Sequence, residues 1–299
     1  MDLLLMTPRL PLAGETMFSE DYFFNAGGKG ANQAVAAARL GCAATFAGKV
    51  GNDDFGETLR RGLADYGVCT DFVATFTEKQ TGFAVIILEE NGQNRIIVHS
   101  SANMEITPAD IDAAFRQNYD AMIIQFEIAE DIVVYACNLA KQRGVPFFVD
   151  AGPPQNFPLE KITGATVLSP NETEAAFMCG FSLENEDDYK KAAKILKQRS
   201  QAEHIVLKLG KNGACLYSAD NGETKIFPSH EVKAVDTTAA GDVFTAAMTA
   251  QFLASGDIAK AIKYANVAGA LTVTKAGAQQ SIPQIADVAA FISAKNIVI

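Results

Sequence analysis

From about residue 44 onward, short apolar runs alternate with segments whose apolar residues recur every three to four positions. ATFAGKV at 44–50 predicts a strand, and FGETLRRGLADYG predicts a helix that stops at Gly67. AMIIQFE at 121–127 predicts a buried strand, EDIVVYACNLAKQRG a helix closed by Gly144, and VPFFVD the next strand. ATVLS, a helix from Glu172, a charged helix near 186–199 and HIVLKLG repeat the cycle. Continuous apolar strands between amphipathic helices predict a parallel sheet covered on both faces. Two segments break the rhythm. Residues 3–24 carry the proline-marked turn TPRLPLAGE, and GFAVIILEENGQNRIIV at 82–98 reads as a hairpin turning at Glu90-Asn91-Gly92. Both are strand-like without helices between them, so they predict a small β appendage that can cover a site and exclude water. The reading is an α/β fold: a three-layer α/β/α main domain, 25–80 and 102–299, with a mostly parallel central sheet, and a β lid, 1–24 and 81–101.

Two segments stand out chemically: AGGKGANQAVAAARLG at 26–41 and VDTTAAGDVFTAAMTA at 235–250. Each places small residues directly before a helix. A helix start presents N–H groups without internal partners and favours negative charge. In the second segment, Asp242 falls in the first helical turn after Ala239, Ala240 and Gly241, whose lack of bulk opens the backbone to a ligand. An aspartate there also has a plain structural explanation, as a stabiliser of the helix start. Phosphoryl transfer asks for free amides to hold the moving group and for a base on the attacking hydroxyl. In the first segment, Lys29 and Asn32 offer hydrogen bonds suited to a polyol or an anion. GxxxxGK[ST] and GxGxxG are both absent, so neither a Walker loop nor a dinucleotide fingerprint is present.

Charge and composition narrow the classes. A formal net charge of −10 over 299 residues provides no field for nucleic acid. With 48% hydrophobic residues the chain can bury a large core. The cysteines Cys42, Cys69, Cys137, Cys179 and Cys215 are scattered, which fits reduced thiols in the cytoplasm. His99, His204 and His230 lack zinc spacing. No apolar run is long enough for a membrane span, and MDLLLMTPRLP lacks the basic start of a signal peptide.

The two glycine segments together resemble the signatures of the ribokinase-like (PfkB) carbohydrate kinases, with further matches in QFE at 125–127, PNETE at 170–174, KLGKNG at 208–213 and KAGAQQSIP at 275–283. The resemblance covers nearly the whole chain, and GGKGANQAVAAARLG is most similar to the ribose-directed branch. It implies ATP-dependent phosphorylation of D-ribose at the 5-hydroxyl, giving ribose 5-phosphate. Asp242 would be the general base, and the backbone of Ala239, Ala240 and Gly241 the anion hole. Asp2, Gly28, Lys29, Asn32 and Glu127 would bind the sugar. Asn171, Lys208, Gly210, Gly213, Gly241 and Asn266 would serve ATP, and Glu174 magnesium through water. Asp236, Thr238, Thr272, Lys275, Gly277 and Ser281 would hold an activating potassium ion. A homodimer through the lid is also implied.

Three departures qualify this expectation. Family members open with an apolar strand of about ten residues ahead of the match to Met1-Asp2. Measured against them, the chain lacks that strand and a sugar-contacting asparagine, and Asp2 falls at a terminus, where order is poor. Asp150, in FFVDAGPP, stands where the family usually has asparagine; a carboxylate near the phosphate path would repel ATP or alter metal binding. Ser101 stands where a glycine commonly precedes the alanine. The alternatives are a kinase for another small sugar, a deoxy sugar or a nucleoside, and a catalytically impaired sugar- or nucleotide-binding homologue. A dehydrogenase would fit the α/β alternation but has no fingerprint.

Overall fold

The computed structural model describes residues 1–91, 93–218 and 222–299; Gly92 of the expected hairpin turn lies outside them. In chain order, strands β1 (Asp2–Thr7) and β2 (Asp21–Asn25) precede helix α1 (Lys29–Arg39), β3 (Thr45–Gly51), α2 (Asp54–Asp65) and β4 (Cys69–Phe76). Strands β5 (Phe83–Glu89) and β6 (Asn94–His99) follow, then α3 (Pro108–Ala114), β7 (Met122–Gln125), α4 (Glu130–Gln142), β8 (Phe147–Asp150) and β9 (Val167–Ser169). Next come α5 (Glu172–Cys179), α6 (Glu186–Ser200), β10 (His204–Lys208), β11 (Ala214–Ser218) and β12 (Glu223–Phe227). The chain closes with α7 (Ala240–Ser255), α8 (Ile258–Thr272) and α9 (Ile285–Ala294).

The central sheet runs β12-β11-β10-β9-β8-β7, with β7 to β10 parallel and β11 and β12 antiparallel. Alternation along its strands fills two apolar layers. Phe147, Val149, Leu168, Ile205 and Leu207 face one layer, together with residues of α4 and α6. Phe148, Val167 and Val206 face the other, against Val35 of α1, Val243 and Met248 of α7 and Ile262 of α8. This is the three-layer arrangement that the unbroken apolar strands predict. Local signals set the helix starts: the side chain of Asp53 accepts from the Gly56 amide at α2, and that of Asn185 from the Asp187 and Asp188 amides at α6.

Strands β3 and β4 pair in parallel as a separate two-stranded piece. The start of α1 lies across the two pieces of sheet. A Cβ at Gly30 would meet Gln125 Oε1 at 3.0 Å and Phe46 Cε2 at 3.1 Å, one atom from the β7 side and one from β3.

A four-stranded sheet, order β2-β1-β5-β6, stands beside this body. Strand β1 pairs antiparallel with β2 and parallel with β5, and β5 pairs antiparallel with β6. The register aligns Phe24, Leu3, Val85 and Ile97 in one row and Phe23, Leu4, Ile86 and Ile96 in the next, on opposite faces. Asp2 is well held, contrary to the expectation of a loose terminus. It pairs with Asn25 on one side and Ala84 on the other, and the Met1 amino group donates to Gly82 O at 3.1 Å. Backbone pairing on both flanks offsets the entropy that frees most chain ends. Among the described residues no helix is long and apolar enough to cross a membrane.

Candidate active site

Because β7 to β10 run in one direction, their C-terminal ends share one edge, where open α/β sheets bind ligands. The chain places polar residues along that edge: Glu127 two residues after β7, Asp150 at the end of β8, Asn171 two residues after β9 and Lys208 at the end of β10. Helices α1 and α7 start on the same edge, pack together and bring the two glycine segments into contact. Asn32 Nδ2 donates to Asp242 Oδ2 at 2.9 Å across 210 positions of sequence.

Each helix start uses an uncommon backbone. Gly28, the residue before α1, has φ +97°, a region open to glycine. Ala239 caps α7 with φ +63°, left-handed although it carries a Cβ, a strain of about 1–2 kcal/mol. Among the described residues the Gly241 and Asp242 amides have no acceptor, whereas Val243 N donates to Ala239 O at 2.9 Å. The open amides and the helix dipole favour an anion at this point.

Lys29 is the hub of the site. Its Nζ lies 3.6 Å from Asp242 Oδ1, 3.8 Å from Asp150 Oδ1 and 4.0 Å from Glu174 Oε1. Burial alone would lower its pKa, yet Asp150, Asp242, Glu174 and Glu127 together hold the ammonium above its ordinary value. Asp242 is buried, which raises its pKa against the pull of Lys29, and its Oδ1 has no hydrogen-bond partner among the described residues. Glu127 Oε2 accepts from the Lys29 amide at 3.4 Å, and burial lifts this carboxyl to about 7 although Lys29 opposes the rise. Burial also raises Asp2, with Asp242 adding to it. The Asp2 carboxylate lies where a Cβ on Gly27 would be, 1.9 Å from Oδ2, so glycine at 27 leaves room for this carboxylate in its present place.

Asp150 does not behave as an added carboxylate facing ATP. It is fully buried, and its Oδ2 receives Gln33 Nε2 at 2.9 Å, Thr245 Oγ1 at 3.1 Å and the Lys208 ammonium at 3.0 Å. Burial would raise its pKa, but Lys208 and Lys29 hold it below the ordinary value. Its charge is met within the fold by Lys208 and Lys29.

The residues expected on the nucleotide side are placed as follows. Asn171 caps α5: its side chain accepts from the Glu174 amide at 2.8 Å, and its own amide donates to Glu174 Oε2 at 2.7 Å. Glu174 Oε1 is left facing Lys29. Gly210 and Gly213 bound the turn after β10. The Asn266 amide donates to Phe227 O at 2.9 Å and Pro228 O at 3.1 Å, fastening α8 to the chain after β12. Asp236 Oδ1 accepts from Thr238 N at 2.9 Å and Thr238 Oγ1 at 2.7 Å, while Oδ2 accepts from Gly277 N at 2.9 Å. These bonds tie the approach to α7 to the loop after α8 and lower the Asp236 pKa despite partial burial. Thr272 and Ser281 are buried nearby in sequence, with hydroxyls donating to Ala268 O and Ala278 O at 2.8 and 2.7 Å.

Residue-by-residue reading missed Gln33, Thr245 and Gly152. Gln125 donates to Gln33, which donates to Asp150. Thr245 lies three positions after Asp242, on the same helix face, and that spacing was the available signal. A Cβ on Gly152 would meet Glu174 Oε1 at 2.4 Å and Lys29 Cε at 2.6 Å, so the bare glycine makes room for their approach.

Hard oxygens of the kind magnesium takes lie around Lys29. Glu174 Oε1, Asp150 Oδ1 and Asp242 Oδ1 are hard oxygens, the latter two buried without hydrogen-bond partners. No cluster among the described residues could hold a metal by itself. Magnesium commonly arrives with substrate phosphates and few protein ligands.

Comparison with known proteins adds four findings. The family model described as pfkB family carbohydrate kinase matches residues 1–285. The chain is 38% identical over 285 residues to the ribokinase of Bacillus subtilis, covering 95% of this chain and 93% of that one. It is 37% identical over 286 residues to the bifunctional ribokinase/ribose-5-phosphate isomerase A of Fructilactobacillus sanfranciscensis, covering 94% of this chain and 52% of that longer protein. The solved structure of Arabidopsis thaliana ribokinase complexed with ribose and ATP superposes with a TM-score of 0.87 at 31% identity, covering 97% of this chain and 95% of that one.

The raised Glu127 carboxyl has a measurable consequence. Its folded-state pKa of about 7 exceeds the ordinary 4.5, so the native state favours the protonated form. The stability it contributes is complete below the unfolded pKa and is lost as pH rises through the folded one. Unfolding free energies measured between about pH 5 and 8 should therefore fall more steeply for the wild type than for Glu127→Gln. Parallel slopes would show that Glu127 is already ionised in the native protein.

Proposed function

The chain belongs to the pfkB family of carbohydrate kinases and is a phosphotransferase acting on an alcohol group; we propose that it transfers the γ-phosphoryl group of ATP to the 5-hydroxyl of D-ribose. The observation that carries this reading is the Asn32–Asp242 hydrogen bond of 2.9 Å, which joins a polyol-binding turn to an acid at a helix N-terminus.

The sugar lies between the body and the four-stranded lid, against Asp2, Gly28, Lys29, Asn32 and Glu127. The lid, 1–24 and 81–101, excludes water when it closes on the main domain, 25–80 and 102–299. Asn32 fixes Asp242 through Oδ2, leaving Oδ1 without a hydrogen-bond partner and free to accept a proton. The hydroxyl oxygen attacks the γ-phosphorus in line as its proton passes to Asp242 Oδ1. The bond to the ADP oxygen breaks, and ADP leaves with that electron pair. The free amides of Gly241 and Asp242, beside Ala239 and Ala240, stabilise the charge on the transferred group. Asn171, Lys208, Gly210 and Gly213 line the nucleotide side, and Asn266 shapes it by anchoring the chain after β12. When bound, magnesium neutralises phosphate charge, and Glu174 is the residue that would hold it through water.

Asp242→Asn tests the base. Sugar affinity by calorimetry should stay near wild type, while kcat for sugar-dependent ADP release falls by about 10²- to 10⁴-fold. A near-normal kcat would remove Asp242 from the role. The same assay across ribose, 2-deoxyribose, ketohexoses and nucleosides tests the acceptor; preference for another compound overturns ribose and leaves the chemistry intact.

Asp236, Thr238, Thr272, Lys275, Gly277 and Ser281 would hold a potassium ion through hard oxygens, which stiffens the loops leading into α7. Replacing potassium by tetramethylammonium in the assay should lower kcat several-fold; an unchanged rate argues against the ion.

The exposed apolar residues of the lid support a homodimer. Ile97 is 68% exposed and Phe24 52% exposed in one cross-strand row. Light scattering should give a dimer mass for the wild type and a monomer mass for Ile97→Lys. A monomeric wild type would refute the assembly.

A further inference from the structure

A buried lysine–aspartate pair lies between the nucleotide turn and the start of α7. Lys208 ends β10 with a side chain 9% exposed, and its Nζ is 3.0 Å from Asp150 Oδ2. Its backbone is fixed on the nucleotide side: its amide donates to Pro170 O at 2.9 Å, and it forms a parallel bridge with Asn171. Its ammonium points the other way, to α7. A Cβ on Gly241 would lie 3.9 Å from Nζ, so the charge abuts the helix turn whose Gly241 and Asp242 amides have no acceptor.

We propose that the Lys208 ammonium contacts the phosphoryl group during transfer and that Asp150 is the positioning residue that holds it there. The inference rests on the kinase reading above.

An ammonium carries three N–H bonds in a compact charge, a donor well suited to phosphate oxygens. Asp150 is the one carboxylate paired with Lys208 among the described residues, so N–H bonds remain for a ligand. Asp150 is itself immobile. Gln33 and Thr245 donate to the same oxygen that Lys208 faces, and the residue has no exposed surface. Its second oxygen has no hydrogen-bond partner and lies 3.8 Å from Lys29 Nζ. One carboxylate therefore orients two ammonium groups, Lys29 beside the base and Lys208 beside the open amides. Lys29 and Lys208 flank Asp150, so its charge is met on both sides and the Lys208 ammonium keeps N–H bonds for a phosphate oxygen. Asparagine at position 150 would keep the hydrogen bonds and lose this electrostatic hold.

The test compares Lys208→Met, Lys208→Arg, Asp150→Asn and the double variant Asp150→Asn/Lys208→Met in steady-state assays with magnesium-ATP. Lys208→Met should lower kcat by about 100-fold and raise the KM for ATP, as loss of a donor to the transferring group does. Lys208→Arg should recover part of the rate, and Asp150→Asn should cost about tenfold because the cation remains but is less well held. Lys208→Met leaves a buried carboxylate without its counter-ion and can fail to fold for that reason alone. The double variant removes both charges and separates the two effects. We expect it to unfold near the wild-type midpoint and bind ribose normally by calorimetry, yet remain as slow as Lys208→Met. Recovery of kcat to within about threefold of wild type would show a merely structural pair and overturn the proposal. So would failure of the double variant to fold, or an unchanged KM for ATP in Lys208→Met. If the wild type itself releases no ADP with any sugar, the kinase reading fails first and this inference falls with it.

Discussion

One ammonium among three buried carboxylates organises this protein. Lys29 Nζ stands 3.6 to 4.0 Å from oxygens of Asp242, Asp150 and Glu174, residues drawn from α7, β8 and α5. Burying that much negative charge without a counter-ion would cost several kcal/mol per group, on the order of the whole stability of a domain. With Lys29 in the centre and Lys208 on the far side of Asp150, the charges nearly balance. The strand ends and helix starts can then converge on one point. Removing Lys29 would leave three buried carboxylates with Lys208 alone to offset them, whereas neutralising one carboxylate leaves the two lysines matched.

The architecture delivers the charges to that point by simple means. Parallel strands put their C-terminal ends on one edge, and each of β7 to β10 ends at or just before a polar residue. Two helices start on the same edge, each after a backbone conformation that a side chain resists, and their free amides supply positive potential where the carboxylates supply negative. Small residues set the distances. Gly27 admits Asp2, Gly30 lets α1 rest across Gln125 and Phe46, and Gly152 admits Lys29 and Glu174. A methyl group at any of these positions would intrude on a functional side chain or on the seam between the two pieces of sheet.

Asp150 shows how a lone substitution can mislead when its neighbours are unknown. A carboxylate beside a phosphate path is repulsive in isolation. In the folded chain it lies between two lysines from distant segments, Lys29 and Lys208, and takes hydrogen bonds from Gln33 and Thr245. The electrostatic sign of the region is set by the group and not by the residue.

The sequence by itself determined the layered α/β architecture, because unbroken apolar strands and amphipathic helices have few ways to bury their apolar surface together. It also marked the two helix starts, because small residues before a helix, and in α7 an acid in its first turn, are local features with local consequences. The lid strands were legible for the same reason, as alternating segments without helices. Only the tertiary structure decided which charges meet. The Asn32–Asp242 bond spans 210 positions and the Gln33–Asp150 bond 117, and no periodicity within a segment encodes such a pairing. The secure hold on Asp2, the matched charge of Asp150 and the use of the Asn266 amide to anchor backbone carbonyls all depend on neighbours far along the chain. The pKa shifts of Asp2 and Asp150 follow from burial and from charges that come together only on folding.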